Sequence, residues 1–286
     1  MSKVDRLVAL KRAGQRIVMI TAYDAPSARV VEAAGVDVVL VGDSAATTVL
    51  GYATTRDVSL AEMLMLTRAV RRGLDAPVLI GDLPFGTYEG SDAQALETAR
   101  AFMNAGCDGV KLEGADDRVA RVAALVAAGI PVMGHVGLEP QSVQTASGYR
   151  VRGREADVAI AILDRARHLE RAGCFALVVE AVPRIVADAL IAQSSIPVIG
   201  IGASANADGQ VLVYHDLLGL LGPHHPKFVK QYAESASQMI GAVRQYARDV
   251  RDGSFPAATH SYEMPDAART SFEKQLEQRR AKPSGN

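Results

Sequence analysis

Several residue types and patterns that define particular classes of protein are missing from this sequence. Tryptophan is absent and aromatic residues make up 5% of the chain, so a surface on which nucleic-acid bases stack is not expected. The formal net charge of -1 provides no basic field of the kind that attracts nucleic acid. No run of about 18 apolar residues occurs, so no transmembrane helix is expected. The sequence therefore predicts neither a nucleic-acid partner nor a membrane partner.

Cysteine is equally scarce. The two cysteines, Cys107 and Cys174, form neither a metal-binding nor a disulfide pattern. Residues 1–16 are polar and charged, and they lack the apolar core and small-residue cleavage site of a signal peptide. A cytoplasmic, reducing location is the simplest interpretation.

What the chain does contain is a repeated alternation of short apolar runs and longer amphipathic stretches. It is 49% hydrophobic over 286 residues, enough for one full-sized core, and an α/β barrel typically takes roughly 250 residues. The apolar runs predict eight strands, at 17–22, 36–42, 77–81, 108–112, 130–134, 175–179, 196–201 and 210–214. We therefore predict an α/β fold, a (β/α)8 TIM barrel over residues 1–262 as a single catalytic domain, with a polar C-terminal tail at 263–286.

Helices are predicted at 3–14, 26–34, 59–72, 92–105, 116–128, 155–172, 183–193 and 225–250. Ser59 and Glu62 have the spacing of a capping box at the start of one of them. Residues 44–58 show no helical period and are interpreted as a long loop over the strand ends. Residues 266–286 are interpreted as a marginal helix or a disordered tail.

Four predicted helices end at a glycine that comes just before an apolar strand, namely Gly35, Gly106, Gly129 and Gly173. Glycine suits the left-handed conformation that ends many helices. These turns would lie at the N-terminal face of the barrel. Because Cys107 and Cys174 directly follow two of these glycines, we predict that both are small buried thiols on that face.

Polar side chains stand at the opposite ends of the strands. Five apolar runs end in Asp43, Asp82, Glu113, His135 and Glu180. In α/β barrels the C-terminal ends of the strands carry the active site. The sequence therefore predicts a catalytic rim that includes these five residues.

Three of these residues, Asp43, Asp82 and Glu113, come from neighbouring predicted strands. Carboxylates that are brought together raise one another's pKa values. A hard divalent cation relieves this repulsion, and oxygen ligands favour Mg²⁺ over Zn²⁺. The alternative is that each acid caps a helix or pairs with an arginine.

Lys111 lies two residues before Glu113 on the same strand and therefore points to the same side. A lysine beside carboxylates inside a barrel indicates a site for an anion, with a structural ion pair as the alternative. Ser44 could donate a hydrogen bond to the same anion, or it could be an ordinary turn residue.

His135 and Glu180 come from strands five and six. The two valines before Glu180 should desolvate its carboxyl group and raise its pKa towards the range of a general base. His135 belongs either to the site or to the core, with its hydrogen bonds satisfied there. His224 and His225 are interpreted as part of a loop rather than a metal site.

Several segments are distinctive when taken together and in order. They are ITAYD at 20–24, LVGDS at 40–44, DLPF at 82–85, VKLEG at 110–114, GHVGL at 134–138 with PQS at 140–142, GYRVRG at 148–153, PVIGIG at 197–202 and DGQVLVYHD at 208–216. Through these segments, residues 3–262 resemble the ketopantoate hydroxymethyltransferase (3-methyl-2-oxobutanoate hydroxymethyltransferase) family.

The resemblance implies a (β/α)8 barrel of the phosphoenolpyruvate/pyruvate superfamily, usually a large homo-oligomer and often a decamer. It implies transfer of a hydroxymethyl group from 5,10-methylenetetrahydrofolate to 3-methyl-2-oxobutanoate in pantothenate biosynthesis, through an enolate that Mg²⁺ stabilises. Carried over position by position, it implies that Mg²⁺ is surrounded, in part through water, by Asp43, Asp82 and Glu113. It also implies that the 2-oxo acid is held by Asp43, Ser44, Asp82 and Lys111, that His135 lies near it, and that Glu180 accepts the proton.

The sequence departs from the family pattern in loops. Ala53 stands where an acidic or amide residue is usual, Arg56 and Asp57 replace a common Leu-Pro pair, and the run at 203–207 is atypical. These departures concern loop packing or folate contacts rather than the acidic cluster. The loops at 44–58 and 203–209 are predicted to exclude water while the enolate exists.

Two other functions remain open. A Mg²⁺-dependent lyase or mutase of the same superfamily is the first alternative. Relatives of isocitrate lyase use a cysteine at the rim, and the predicted positions of the two cysteines argue against that branch. A catalytically silent barrel is the second alternative, and the five polar strand ends argue against it.

Overall fold

Eight parallel strands close into a barrel in the order in which they follow one another along the chain. This computed structural model describes residues 3–114, 116, 118–143, 150–222 and 226–281. The strands are β1 Ile17–Thr21, β2 Val38–Val41, β3 Val78–Asp82, β4 Gly109–Lys111, β5 Val132–Gly137, β6 Ala176–Glu180, β7 Val198–Ile201 and β8 Gly209–Leu212. The predicted α/β barrel is confirmed.

Helices cover most of the connections between strands. They are α1 Lys3–Arg12, α2 Ala25–Ala33, α3 Ala45–Thr48, α4 Leu60–Arg71, α5 Asp92–Asn104, α6 Val119–Ala127, α7 Ala156–Arg171, α8 Arg184–Gln193, α9 Tyr214–Leu217, α10 Ser235–Asp252 and α11 Asp266–Ala281. Residues 202–208 join β7 to β8 as a loop without a helix. Within the described residues, no helix is both long and apolar enough to cross a lipid bilayer.

The described residues fall into two compact units, one ending at Glu234 and the other beginning at Ser235. The first unit contains the barrel, and the second contains α10 and α11. The predicted division after residue 262 concerns the extent of the catalytic domain and stays a prediction.

Strand β2 shows how the barrel is built, because all four of its residues are buried. Val38 and Leu40 join an apolar cluster with inward-facing residues of the other strands, whereas Val39 and Val41 join the cluster formed with the surrounding helices. Side chains of a strand alternate between its two faces. A strand that is buried on both faces therefore has a continuous run of apolar residues in the sequence. Helix α1 contributes Val4 and Leu7 to the inner cluster.

The helix-ending glycines have the predicted backbone conformation. Gly35, Gly106, Gly129 and Gly173 have φ values of 76°, 102°, 78° and 103°. Cys107 and Cys174 follow two of them, are buried and unpaired, and precede β4 and β6. Burial raises the pKa of each thiol to about 12. Both cysteines therefore lie at the N-terminal face of the barrel as protonated thiols, as predicted.

Three sequence-based predictions need correction. The last long helix begins at Ser235 rather than near residue 225. Residues 226–234 are irregular: the Val229 N–H donates to the Pro226 carbonyl at 2.9 Å in a turn, and the Tyr232 N–H donates to the Leu217 carbonyl at 2.8 Å instead of continuing a helix. The stretch 44–58 is not a plain loop, since it contains α3 and a 3-10 turn at Thr55–Asp57. His135 lies inside β5 rather than after it.

Aspartates at the N-terminal ends of strands tie neighbouring strands together. Asp37, Asp108 and Asp208 accept the backbone N–H groups of Val18, Leu79 and Val198 at 3.0, 2.9 and 2.8 Å. Helix α1 supplies cations to the same carboxylates: Arg6 to Asp37 at 3.4 Å, Lys3 to Asp108 at 3.9 Å and Lys11 to Asp208 at 2.8 Å. Charge pairs therefore hold α1 across this face of the barrel.

Candidate active site

The residues predicted for the site come together at the C-terminal end of the barrel. A cavity of about 630 Å³ is lined by all seven of them, namely Asp43, Ser44, Asp82, Lys111, Glu113, His135 and Glu180. Apolar side chains, including Leu40, Val178 and Phe228, line other parts of its wall. His224 and His225, and residues 144–149, lie outside the described residues, so the interpretation of the two histidines stays a prediction.

Asp82 and Lys111 form the centre of the polar cluster. They face each other because they are aligned partners on the adjacent strands β3 and β4. The Lys111 Nζ lies 2.8 and 2.9 Å from the two carboxylate oxygens of Asp82 and 3.6 Å from Glu113 Oε1. Burial lowers the pKa of Lys111, but the charges of Asp82, Glu113 and Asp43 outweigh it and raise the pKa above its usual value. Lys111 is therefore a permanent cation, and the ion pair, which was the sequence-based alternative to an anion site, is present.

Asp43 and Glu113 are carboxyl groups that this single ammonium group does not fully neutralise. Burial and the charges of Asp82 and Glu113 raise the pKa of Asp43 well above its usual value. Burial raises the pKa of Glu113 to about 7, with Lys111 opposing the increase. The Asp43 N–H donates to Asp82 Oδ2 at 3.2 Å, which brings the two acids together.

The donor chemistry of this cluster fits a hard divalent cation. Three buried carboxyl groups supply oxygen ligands, and the raised pKa values of Asp43 and Glu113 indicate that more positive charge would stabilise these two groups. In the part of the chain that the structure describes, no three carboxylate, histidine or cysteine side chains are placed as a set that could hold a metal ion. The alternative that each acid caps a helix does not hold for Asp82, which pairs with Lys111 instead.

His135 lies between two glutamates. Its Nδ1 is 3.3 Å from Glu113 Oε1, and its Nε2 is 3.5 Å from Glu180 Oε2. Among the described residues, Glu113 Oε1 and both ring nitrogens lack a hydrogen-bond partner of good geometry. Burial and the Lys111 charge lower the pKa of His135 well below its usual value, so the ring is neutral and carries one N–H. Its other nitrogen can accept a hydrogen bond from the neighbouring glutamate only when that carboxyl group is protonated, so the protonation states of Glu113 and Glu180 are linked through this ring.

Glu180 ends β6 and faces the cavity. Burial, followed by the charge of Glu113, raises the pKa of Glu180 to about 8, as its apolar strand predicted. The next residue, Ala181, has a φ of 48°, which is uncommon for a residue with a side chain. Backbone hydrogen bonds from Leu138 to Glu180 at 2.8 Å and from Arg152 to Ala181 at 2.9 Å hold this turn.

Ser44 is joined to a tyrosine that sequence reasoning did not select. The Tyr23 hydroxyl lies 2.8 Å from Ser44 Oγ. Burial raises the pKa of Tyr23 to about 12, so the phenol keeps its proton and can orient the serine hydroxyl. Gln141 and Tyr88 were missed as well, and both bond to the acidic cluster. Tyr23 and Gln141 lie within the distinctive segments ITAYD and PQS, which was the available signal, whereas no pattern marked Tyr88.

The two loops that were predicted to exclude water differ in their positions. Ser44, Thr47, Tyr52, Ala53 and Thr55 of the first loop line the cavity. Several residues of the second loop instead line a separate cavity of about 600 Å³ beside Arg16 and Arg184, namely Ala203, Ser204, Ala205, Ala207 and Gly209. The structure therefore does not support the prediction for residues 203–209, which would require them at the site.

Similarity to solved structures supports the class of fold. The chain aligns with phosphonopyruvate hydrolase, whose structure contains oxalate and Mg²⁺, at a TM-score of 0.60 and 16% identity over 100% of both chains. It aligns with 2,3-dimethylmalate lyase, described as a member of the PEP mutase/isocitrate lyase superfamily, at a TM-score of 0.58 and 17% identity over 97% of this chain and 99% of the other. Barrel and rim together define a (β/α)8-barrel protein of this architecture, with a buried acidic site at the C-terminal ends of its strands.

Sequence comparison is more specific. The sequence model of ketopantoate hydroxymethyltransferase matches residues 2–258. A 3-methyl-2-oxobutanoate hydroxymethyltransferase of Oleidesulfovibrio alaskensis is 50% identical over 263 residues, which are 92% of this chain and 91% of that protein. The mitochondrial protein 1 of that name from Arabidopsis thaliana is 48% identical over 257 residues, 87% of this chain and 74% of that protein. The chain belongs to the ketopantoate hydroxymethyltransferase family.

Proposed function

We propose that the protein transfers a hydroxymethyl group from 5,10-methylenetetrahydrofolate to 3-methyl-2-oxobutanoate and so forms ketopantoate for pantothenate biosynthesis. One observation carries the proposal: in a chain of this family, the Glu180 carboxyl group shares a cavity with the Asp82–Lys111 pair. The pair offers a cation for an oxo acid, and the glutamate offers a base for the proton beside its ketone.

We propose Mg²⁺ as the cofactor, held by Asp43, Asp82 and Glu113 in part through water. When bound, the ion polarises the ketone and adds positive charge that lowers the pKa of nearby carboxyl groups. The support for this part is the raised pKa of Asp43 and of Glu113, since both carboxyl groups gain from a neighbouring cation.

The side chains of the cavity have separate roles in the proposed reaction. Lys111 attracts the carboxylate of the oxo acid, and Ser44, oriented by Tyr23, donates a hydrogen bond to it. Glu180 takes a proton from C3 of the oxo acid, and the resulting enolate attacks the methylene carbon of the folate. Water then supplies the hydroxyl group of the product as tetrahydrofolate leaves. His135 borders Glu180 and Glu113, so it is placed to stabilise the protonated glutamate. The loop at 44–58 limits access of water.

Proton NMR of 3-methyl-2-oxobutanoate in D₂O tests the proposal. Wild-type protein with Mg²⁺ should exchange the C3 proton, and addition of methylenetetrahydrofolate should yield ketopantoate. Glu180→Gln should slow exchange by roughly 10²–10⁴-fold, the usual contribution of a general base. Glu170→Gln, which changes a carboxyl group bonded to Ser194 and Ser195 outside the site, should leave exchange unchanged.

The other outcomes are informative as well. Folded wild-type protein that neither exchanges the proton nor forms product with Mg²⁺ present would contradict the proposal and favour a lyase or mutase. Exchange without product would retain the base and place the failure in the loops that face the folate.

We also propose that the protein is a homo-oligomer in the cytoplasm, with a decamer as the expected size. Helix α10 supports the first part, because Met239, Val243, Tyr246 and Val250 lie along one face of it and are exposed in the single chain. The unpaired, protonated thiols of Cys107 and Cys174 suit a reducing compartment.

A further inference from the structure

Gln141 lies behind the acidic cluster rather than in the cavity. It belongs to a 3-10 turn at Pro140–Ser142, which follows β5. Its exposed fraction is 3%, and its side chain lies outside the cavity lining. Gln141 is therefore buried outside the cavity lining, and the groups that it contacts indicate its role.

Gln141 contacts two of the proposed metal-binding acids, which follow different strands. The side-chain Nε2 donates to Asp43 Oδ2 at 3.1 Å and to the Leu83 carbonyl at 2.9 Å. Because a carbonyl can only accept, the amide nitrogen has to face Leu83. The backbone N–H of the same residue donates to Glu113 Oε2 at 2.9 Å. Gln141 therefore bridges Asp43, after β2, and Glu113, after β4.

The amide is itself held on its other side. The Tyr88 hydroxyl donates to Gln141 Oε1 at 2.6 Å and accepts the Glu113 N–H at 3.3 Å. The Tyr88 hydroxyl group and the Gln141 amide nitrogen thus make these bonds within one buried network. Neither side chain can rotate without breaking bonds to the acids, and such breakage is costly in a buried site.

Arg56 fixes the turn that carries Gln141. Its Nη1 donates to the Gln141 carbonyl at 2.9 Å, and its guanidinium group lies 3.6 Å from the centre of the Phe85 ring. Arg56 is one of the residues at which the chain departs from its family pattern. The structure shows that this departure joins the loop after β2 to the loops after β3 and β5.

We propose that Gln141 is a positioning residue, which orients the Asp43 and Glu113 carboxylates for a divalent cation through its own amide and with support from Tyr88. The inference rests on the proposed function, because it assumes that these carboxylates bind the cation. Groups that orient metal-binding side chains from behind typically affect metal affinity or activity by about 10–100-fold.

The test measures binding of Mn²⁺ alone, by electron paramagnetic resonance, to the full-length protein and three variants. Gln141→Leu keeps the volume but removes both amide donors, and it should weaken Mn²⁺ binding by about 10–100-fold. Tyr88→Phe removes one hydroxyl group and should weaken binding to a smaller extent. Ser142→Ala is the matched control, since the Ser142 hydroxyl bonds to the Glu139 carbonyl in the same turn, and it should bind like wild type.

Two further measurements separate positioning from a loss of folding. Thermal melting of each variant reports whether it is folded, and raising the Mn²⁺ concentration should recover C3 exchange by folded Gln141→Leu. Mn²⁺ affinity within about twofold of wild type in Gln141→Leu, when the expected loss is at least tenfold, overturns the inference. If that variant does not fold, unchanged affinity in Tyr88→Phe overturns it instead.

The same data distinguish this inference from the function on which it rests. Wild-type protein that neither binds Mn²⁺ nor exchanges the C3 proton would defeat the proposed function and this inference with it. Normal binding and exchange in wild type and in Gln141→Leu alike would defeat this inference alone.

Discussion

Glu180 links the acidity of the site to the stability of the fold. Burial raises its pKa from 4.5 to about 8, so between these values the folded protein binds more protons than the unfolded chain. The contribution of this carboxyl group to the stability of the metal-free protein should therefore fall as pH rises from about 4.5 to about 8. Glu180→Gln removes this dependence and should be more stable than wild type above pH 8, by on the order of a few kcal/mol, with the two converging near pH 5.

Urea denaturation in the presence of a chelator, at a series of pH values, measures this difference. Glu170→Gln is a control in which the effect on stability should have the opposite sign. Hydrogen bonds from Ser195 and Ser194 outweigh burial and lower the pKa of Glu170. Glu170→Gln should therefore lower the free energy of unfolding at neutral pH and change it little at acidic pH. Equal pH profiles for Glu180→Gln and wild type would show that the Glu180 carboxyl group ionises normally in the fold.

The sequence indicated which residues lie at the site but not how they pair. Asp43, Asp82 and Glu113 could be selected because parallel strands bring their C-terminal ends to one rim of the barrel. Tyr88 could not, because the backbone path of an irregular loop determines where its side chain reaches, and Gln141 was marked only by its place in the PQS segment. Such paths have no periodicity that a sequence pattern could reveal.

At the level of elements, prediction succeeded where a local physical rule applies. The Ser59 capping box is present, with the Glu62 N–H donating to Ser59 Oγ at 3.3 Å, because capping depends on neighbouring residues alone. The start of α10 and the helical turn α3 were not predicted. Pro226 lies within the stretch predicted as helix, and α3 is only four residues long, too short for a detectable period.

Two of the helix-ending glycines form a matched pair for measuring the cost of a side chain. Gly129 and Gly173 both have positive φ, but an added Cβ meets nothing within 4 Å at Gly129, whereas at Gly173 it lies 2.8 Å from Val126 Cγ1. Gly129→Ala should cost about 1–2 kcal/mol of backbone strain. Gly173→Ala should cost about 1–3 kcal/mol more, because the methyl group overpacks the site. Chemical denaturation of both variants checks the order, and equal losses would mean that Val126 moves aside freely.

For the molecule as a whole, closure of the barrel depends on the face opposite the site. Asp208 Oδ2 accepts both the Val198 N–H and the Lys11 ammonium group at 2.8 Å, so it joins β7, the start of β8 and α1. Asp208→Ala leaves the Val198 N–H without its acceptor and removes the charge partner of the partly buried Lys11 ammonium group, which keeps only its hydrogen bond to the Ile196 carbonyl at 3.0 Å, and it should cost about 2–3 kcal/mol. Asp266→Ala, which breaks an exposed pair with Arg269 on α11, should cost under about 0.5 kcal/mol. Unfolding in urea measures both, and a small loss in Asp208→Ala would show that water replaces the carboxylate.

The exposed apolar face of α10 allows the assembly of several copies of the chain to be tested. Val243 is 65% exposed and Met239 is 58% exposed, and leaving an apolar helix face in water is unfavourable by roughly 25 cal/mol per Å². If copies of the chain cover this face, Val243→Asp places a charge in the contact and should shift sedimentation velocity towards smaller species at the same protein concentration. Arg244→Glu changes charge on the adjacent position of the helix and should sediment like wild type.

The possible results of this experiment bear on different parts of the proposal. An oligomeric wild type that Val243→Asp does not alter would mean that the subunits meet through another surface. A monomeric wild type would contradict the proposed homo-oligomer altogether. Because the cavity, the seven predicted site residues and the Gln141 network all lie within residues up to Glu234, a dissociated Val243→Asp variant should still exchange the C3 proton of the oxo acid. Loss of exchange on dissociation would instead require that a second copy of the chain complete the site.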